Sequence, residues 1–158
     1  MAEAVVGLST YLNRTQKVMS DYLQSPVVYK TDEFMALDNQ TRVNLEIFEN
    51  YQSSESKSTL FRTLNFTNTP MGTRLLKKWI GQPLIDSNAI NHRLNAVACL
   101  VGDMEMLAQV ENSMGNISDL ERITGKIKFA RATPNDLLSL ENTIYESNKL
   151  IDVLEDPK

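Results

Sequence analysis

The sequence predicts an all-α protein, a multi-helix bundle of amphipathic helices with one short extended segment near residues 27–37. Apolar residues recur at steps of three and four along most of the chain, which is the spacing of one face of a helix. Capping side chains followed by proline mark helix starts at Thr69-Pro70 and Thr133-Pro134. Hydrophobic residues make up 42% of the 158 residues, which is typical of a globular domain. We therefore expect one compact unit over residues 1–158 with a hydrophobic core.

The N-terminal region predicts a helix followed by the extended segment. Residues 2–24 place apolar side chains on one helical face, and Pro26 ends this helix. The apolar runs at 27–29 and 34–37 lack helical spacing, so we expect at most two short strand-like pieces there. Such pieces are too short to form a sheet by themselves.

Two short helices are predicted next. Asp38 caps the first, which is expected to run to about Phe48. A polar, serine-rich loop over residues 50–57 precedes the second, which Ser58 or Thr59 caps. The residues expected to be buried in the second helix are Leu60, Phe61, Leu64 and Phe66.

The central helix, within residues 67–84, has the most complete start and stop signals. Thr69 is its expected cap and Pro70 its first residue. Gly81 in a left-handed conformation and the following Pro83 are expected to end it. One side of this helix is expected to face the core, with Gly72 leaving room for another backbone; its apolar residues are Met71, Leu75, Leu76, Trp79 and Ile80.

The opposite side of the central helix is basic, because Arg74, Lys77 and Lys78 lie there. The simpler interpretation is a solvated back on a core-facing helix. The alternative is contact with nucleic acid or with an acidic neighbouring domain.

Two helices follow the central one. Asp86 or Ser87 caps the first, which has the strongest periodicity in the chain and which Gly102 ends. Residues 103–114 form the second, which Gly115-Asn116 closes. The residues expected to be buried are Ile90, Leu94, Val97, Ala98 and Val101 in the first helix, and Leu107, Val110 and Met114 in the second.

The last two helices also have capping signals. Ser118 and Glu121 are expected to form a capping box. Thr133-Pro134, with Asp136 in the first turn, opens a long final helix. The residues expected to be buried are Leu120, Ile123, Ile127 and Ala130 in the first of these helices, and Leu137, Leu140, Ile144, Ile151 and Leu154 in the second.

The composition argues against several classes of function. A formal net charge of −4 disfavours a module that binds nucleic acid by itself. One cysteine and one histidine provide neither an intramolecular disulfide nor a cysteine/histidine metal cluster. The sequence contains no glycine-rich phosphate loop, and we recognise no export signal or membrane span. No catalytic set, cofactor site or metal site is therefore predicted in this chain.

The order of motifs resembles the core, or lever, domain of the MutS family of DNA mismatch repair ATPases. The resemblance rests on LDNQTRVNLEIF at residues 37–48, on TNTPMGTRLLKKWIGQPLID at 67–86, on Ile90 with Arg93, and on ISDLERI at 117–123. It covers nearly the whole chain, which would be a single partial domain of a longer parent.

The resemblance implies a structural and signal-transmitting role for this chain, which would perform no chemistry of its own. Residues 1–25 would be the entering connector helix, and residues 133–158 the start of a lever helix that is truncated at Lys158. The domain would link the ATPase and connector domains of the parent to its DNA clamp. The parent would bind ATP and Mg²⁺ in segments absent from this chain. It would act as a dimer on mismatched duplex DNA in the cytoplasm, and at the nucleoid if it is bacterial.

The residues that match the family pattern are assigned to packing, capping and interdomain salt links. They are Asp38, Asn44, Glu46, Gly72, Arg74, Pro83, Arg93, Asp119 and Arg122, with Thr69, Pro70 and Trp79 as further structural residues. Two alternatives stay open. One is a helical oligomerisation scaffold outside repair. The other is a module that contacts DNA directly through Arg74, Lys77, Lys78, Lys126, Lys128 and Arg131.

Overall fold

Helices form most of the structure, a computed structural model that describes residues 2–15, 33–49 and 59–155. Contacts divide the chain into two units, residues 1–31 and 32–158. Among the described residues, the first unit contains α1 (Ala2–Thr15), and the second contains α2 (Asn39–Asn44), α3 (Leu60–Leu64), α4 (Pro70–Gly81), α5 (Ser87–Gly102), α6 (Met104–Gly115), α7 (Leu120–Lys128) and α8 (Pro134–Glu155). The all-α prediction is confirmed. In the described ranges, no helix is long and apolar enough to cross a membrane.

The described part of the predicted extended segment lies antiparallel beside the residues that follow α4. The amide of Met35 donates to the carbonyl of Pro83 at 2.8 Å, and Phe34 forms an isolated bridge with Leu84. Pro83 therefore supplies a backbone acceptor as well as following the end of α4. The predicted strand at 27–29 and the predicted loop at 50–57 lie outside the described residues.

Side-chain caps begin several helices at the predicted positions. The hydroxyl of Thr69 accepts from the amide of Gly72 at 3.0 Å, and Pro70 is the first residue of α4. A Cβ at Gly72 would lie 3.0 Å from that same hydroxyl oxygen. The nearest neighbours of Gly72 are thus threonine side chains, whereas another backbone was predicted. The other confirmed caps are Asp38, Thr59 and Asp86.

The predicted cap of α7 is wrong, and that of α8 is confirmed. Asp119 caps α7, because the helix begins one residue later than predicted and the amide of Ser118 donates to the hydroxyl of Thr143 at 3.0 Å. At α8 the amide of Asp136 donates to the hydroxyl of Thr133 at 3.3 Å, and the amide of Thr133 donates back to the Asp136 carboxylate at 2.8 Å. This reciprocal pair satisfies two amides at the helix start.

The helix α2 ends at Asn44, four residues before the predicted end. Glu46 has a φ of 46°, and the amide of Ile47 donates back to the carbonyl of Arg42 at 3.1 Å. This is the left-handed closure that usually requires glycine. The carbonyls of Glu46 and Ile47 then accept from the first two amides of α3, each at 3.0 Å. The end of α2 therefore fixes the start of α3.

Two further helix ends differ from prediction. Ala130, predicted to be buried in α7, lies beyond its end with a φ of 53°, and the amide of Arg131 donates to the carbonyl of Lys126 at 2.8 Å. Gly81 ends α4 without a positive φ. Its own Cβ would lie 3.3 Å from the Phe48 ring, so glycine serves there as space for an aromatic side chain.

The core is small. Its buried hydrophobic residues are Ile47, Met106, Val110 and Ile123, and the most extensive helix pair is α6 with α8. On α8 the buried side chains are Thr143, fully buried, and Glu146, 8% exposed, which lie on a face adjacent to the predicted stripe.

Many residues predicted to be buried are exposed instead. Helical spacing shows that an apolar face exists, but the described part of this chain does not cover those faces. The exposed residues are Leu60, Leu64, Phe66, Leu75, Trp79, Ile90, Leu94, Val97, Ala98, Val101, Met114, Ile127, Ala130, Leu137, Ile144, Ile151 and Leu154.

Replacing Ala130 with glycine is expected to stabilise the protein. The left-handed backbone at residue 130 costs an alanine about 1 kcal/mol that glycine avoids, so Ala130→Gly should raise the free energy of unfolding by that amount. Urea unfolding measures the change. As a control, Ala108→Gly in the exposed interior of α6 should lower the same free energy by about 1 kcal/mol. Destabilisation by Ala130→Gly would contradict this description of the end of α7.

Candidate transmission site between α4, α7 and α8

Arg74 connects α4 to the start of α7. Its two terminal nitrogens donate to the two carboxylate oxygens of Asp119 at 3.0 and 2.8 Å, and one of them also lies 2.6 Å from the Glu121 carboxylate. The planar guanidinium matches the carboxylate at both oxygens, which fixes direction as well as distance. Two of the predicted site residues, Arg74 and Asp119, are therefore direct partners, and Glu121 joins them.

The Asp119 carboxylate has two functions at once. It holds Arg74, and its Oδ1 accepts from the amide of Arg122 at 3.2 Å as the cap of α7. The hydrogen bonds from Arg74, together with the cap, hold the pKa of Asp119 below its usual value. The bond to Asp119 in turn raises the pKa of Arg74. One carboxylate thus joins α4 to the first turn of α7.

Two polar contacts then connect the α7 region to α8. The ammonium of Lys126 lies 2.5 Å from the Asp136 carboxylate, which also accepts from the hydroxyl of Thr133 at 2.7 Å. The amide of Ser118 donates to the hydroxyl of Thr143, which donates to the carbonyl of Ser139 at 2.7 Å. The contacts therefore hold both ends of α7 against the first half of α8.

The other basic side chains of α4 are arranged differently. The ammonium of Lys77 lies 5.4 Å from the centroid of the Phe48 ring, which is a cation–π distance. Lys78 is exposed and lines an open groove of about 340 Å³ with Arg42, Lys77 and Gln82. Within the described ranges, no hydrogen bond or ion pair involves the Lys78 side chain. Contact of these side chains with DNA or with another domain stays a prediction.

Trp79 contacts Arg93 and does not face the core as its helical spacing predicted. Trp79 was predicted to face the core but is 40% exposed, and the guanidinium of Arg93 lies over its ring at 3.9 Å. Such stacking covers one face of the indole without burying it. It connects α4 to α5.

Sequence reasoning missed several residues that position the site. Arg42 donates to the carbonyl of Gly81 at 3.2 Å and holds the end of α4. From the sequence, Lys126 was considered only as a basic residue and Asp136 only as part of the start of α8. Thr143 was assigned no role. Each of these contacts joins residues distant in sequence, so local spacing contains no signal for them. The acidic Asp136 lies in the first turn of a helix, where the helix dipole alone favours a carboxylate, so its sequence position gave no reason to expect a partner on α7.

Comparison with known proteins shows the family of this chain. A family model described as MutS domain III matches residues 40–158, which is more than half of the chain. This chain belongs to the MutS family. It is 41% identical to the DNA mismatch repair protein MutS of Alkaliphilus metalliredigens over 152 residues, which are 96% of this chain and 17% of that protein.

This chain spans a similar share of the length of other MutS relatives. The MutS of Clostridioides difficile is 35% identical over 93% of this chain and 16% of its own length. The MutS of Methanosarcina mazei is 37% identical over 85% of this chain and 15% of its own length. The chain therefore spans about one sixth of the curated MutS proteins it matches.

Substitutions at Asp119 should separate its two functions. Asp119→Asn keeps a capping oxygen but removes the charge facing Arg74, so a small loss of stability is expected that disappears in high salt. Asp119→Ala also removes the cap, which should cost about 1 kcal/mol more. Urea unfolding at low and high salt measures both, with Glu111→Gln, at an exposed position of α6, as a matched control. Equal losses for the two Asp119 variants would contradict the capping role.

The Lys126–Asp136 pair predicts a pH dependence of stability. The hydrogen bond from Lys126, with those from Thr133, lowers the pKa of Asp136 in the folded chain below its ordinary value of 3.8. The folded state therefore holds this proton less tightly than the unfolded state, so the stabilisation is complete above pH 3.8 and is lost as the pH falls toward the lower folded value.

Asp136→Asn should therefore weaken the dependence of stability on pH. The free energy of unfolding of the unmodified protein should fall below about pH 4, and the variant should be less stable at neutral pH with a shallower fall. Urea unfolding from about pH 6 to about pH 2.5 measures both slopes. Parallel slopes for the two proteins would show that Asp136 does not contribute in this way.

Proposed function

We propose that this chain is a structural, signal-transmitting core of a longer MutS protein that acts in DNA mismatch repair. The parent would bind ATP with Mg²⁺ outside these residues, act as a dimer and contact mismatched duplex DNA. Support comes from the family membership and from relatives named as DNA mismatch repair proteins. The share of their length that this chain spans leaves room for the other domains.

The observation that favours transmission is the series of contacts from Arg74 through α7 to α8. α4 meets the cap of α7, and α7 is held to α8 at Asp136 and Thr143. Helices are stiff, so displacement of one end of such a series moves the other. A coupling of this kind is reciprocal. If a site next to α4 affects a site next to α8, the site next to α8 affects the site next to α4 equally.

The exposed ion pairs suit a linkage that must rearrange. The Arg74 side chain is 48% exposed and that of Glu121 is 70% exposed, so water competes for both. Such pairs contribute little net stability, and breaking or shifting them costs little. α8 also buries two polar side chains, Thr143 and Glu146.

Direct DNA contact through the basic residues is less well supported. Arg74 and Lys126 already face carboxylates, and the net charge is −4. A titration of duplex binding against salt, made with this chain, checks the alternative: steeply salt-dependent affinity would favour it. A stable oligomer in light scattering would instead favour the scaffold hypothesis.

The test of transmission is the coupling between nucleotide and DNA in the full-length protein. DNA affinity is measured with and without ATP in the unmodified protein, in Arg74→Gln and in the control Glu111→Gln, which changes an exposed side chain of α6. The ratio of the two affinities should move toward one in Arg74→Gln, because its contact with Asp119 is weakened, and stay unchanged in the control. An unchanged ratio in Arg74→Gln, with native melting, would overturn the proposal.

A further inference from the structure

A basic groove of about 340 Å³ lies beside the end of α4. Three of the side chains that line it are cationic and one is aromatic. We define the α4 groove by its lining residues, which are Arg42, Phe48, Lys77, Lys78, Gly81 and Gln82. None of these described lining residues is acidic. The volume is within the range of sites that hold a small ligand or a few side chains of a bound peptide.

The three cations of the groove have no carboxylate partner in the described part of the chain. Nε and Nη2 of Arg42 donate to the carbonyls of Leu37 and Gly81, each at 3.2 Å, and a carbonyl carries only a partial charge. Among the described residues, Nη1 of Arg42 has no hydrogen-bond acceptor. Lys77 meets an aromatic ring, and Lys78 has no polar partner there. The positive charge of all three side chains is therefore available to an external anion.

Other cations of the same chain are paired, which makes the α4 groove distinct. Three of them each face a carboxylate, and the pairs are Arg74 with Asp119, Lys126 with Asp136, and Lys149 with Glu146. The chain as a whole has a net charge of −4. A cluster of uncompensated cations on an acidic chain favours a negatively charged partner at that one place.

The aromatic part of the groove favours a peptide over duplex DNA. Phe48 is half-buried and lies 6.0 Å from Phe61 between ring centroids, so part of its ring is left for an apolar side chain of a ligand. Glu49 lines an adjacent cavity together with Arg42 and Phe48. A duplex brings one negative charge per about 1.7 Å of its axis and would meet this carboxylate. A peptide can place a neutral residue there.

The exposure of the lysines favours a separate, transient partner over a permanent cover. Lys77 and Lys78 are both exposed, and lysine is depleted in the buried centre of stable interfaces. A permanent cover would have to remove water from both ammonium groups, which is costly. A short segment that pairs with them at the edge of an open groove leaves them partly hydrated.

We propose that the α4 groove binds an acidic, extended segment of a separate protein. Carboxylates of that segment pair with Arg42, Lys77 and Lys78, and one apolar side chain lies against the Phe48 ring. The inference goes beyond the proposed function and does not depend on nucleotide–DNA coupling.

The test is the binding of a defined acidic peptide to the full-length protein. The probe is a fluorescein-labelled peptide of about eight residues, all glutamate except for one central leucine, which is long enough to cross the groove when extended. Fluorescence anisotropy without nucleotide or DNA measures its affinity. A Kd on the order of 100 µM or tighter is expected, as for a small transient contact. A peptide with glutamine in place of glutamate is the matched probe control and should bind at least tenfold more weakly.

Reversing one charge of the groove should weaken this binding. Lys78→Glu removes one ion pair and adds a repulsion, so the Kd should rise about fivefold or more, and less so in high salt. Arg131→Glu is the matched control, because Arg131 is exposed, lies between α7 and α8 and does not line the groove. It should leave the Kd unchanged. Replacing the central leucine of the probe by serine should also raise the Kd, because the contact with Phe48 is lost.

Three results would overturn the inference. The first is a failure of the acidic peptide to bind, or equal binding of the glutamine peptide. The second is an unchanged Kd in Lys78→Glu with native melting, or an equal rise in Arg131→Glu. The third is a short DNA duplex that displaces the peptide and loses affinity by the same factor in Lys78→Glu, which would assign the groove to DNA. Because nucleotide is absent from these measurements, their failure is distinguishable from failure of the transmission proposal.

Discussion

The bidentate contact between Arg74 and Asp119 is the interaction on which the account of this MutS chain depends. It joins a side chain in the middle of α4 to the carboxylate that also caps α7, so one group both starts a helix and holds its neighbour. A lysine at position 74 would keep the charge but lose the two parallel bonds that fix the angle. The contact sets a distance and an angle between α4 and the start of α7, and two further polar contacts join the α7 region to α8.

The apolar contacts of the second unit are modest, and its polar contacts determine much of its order. Few hydrophobic side chains are buried, whereas Thr143 is buried through bonds to Ser118 and Ser139. A well-packed apolar core resists sliding, because every shift opens space between side chains. Helices held by exposed ion pairs and a few buried hydroxyls shift at lower cost, which suits the transmission of motion that we propose for this chain.

The sequence predicted features that depend on neighbouring residues, such as helix starts. It did not predict features that depend on contacts between helices. Helix starts at Thr69, Asp38 and Thr133 were predictable because a cap and its amide lie three residues apart. Helix ends at Glu46 and Ala130 were not, since both adopt a positive φ that residue type alone argues against. Periodicity located apolar faces correctly but could not say that this chain leaves them uncovered, as on α5. The candidate site was half predictable: Arg74 and Asp119 were singled out, but only the fold shows that they meet.

The most direct test of the central claim is a double-mutant cycle on nucleotide–DNA coupling in the full-length protein. Arg74→Gln weakens the contact between α4 and α7, and Lys126→Gln removes one of the two polar contacts between the α7 region and α8. Contacts that act in series predict that the double variant loses no more coupling free energy than the more damaging single variant. Losses that add, or single variants that leave coupling intact, would contradict transmission through α7.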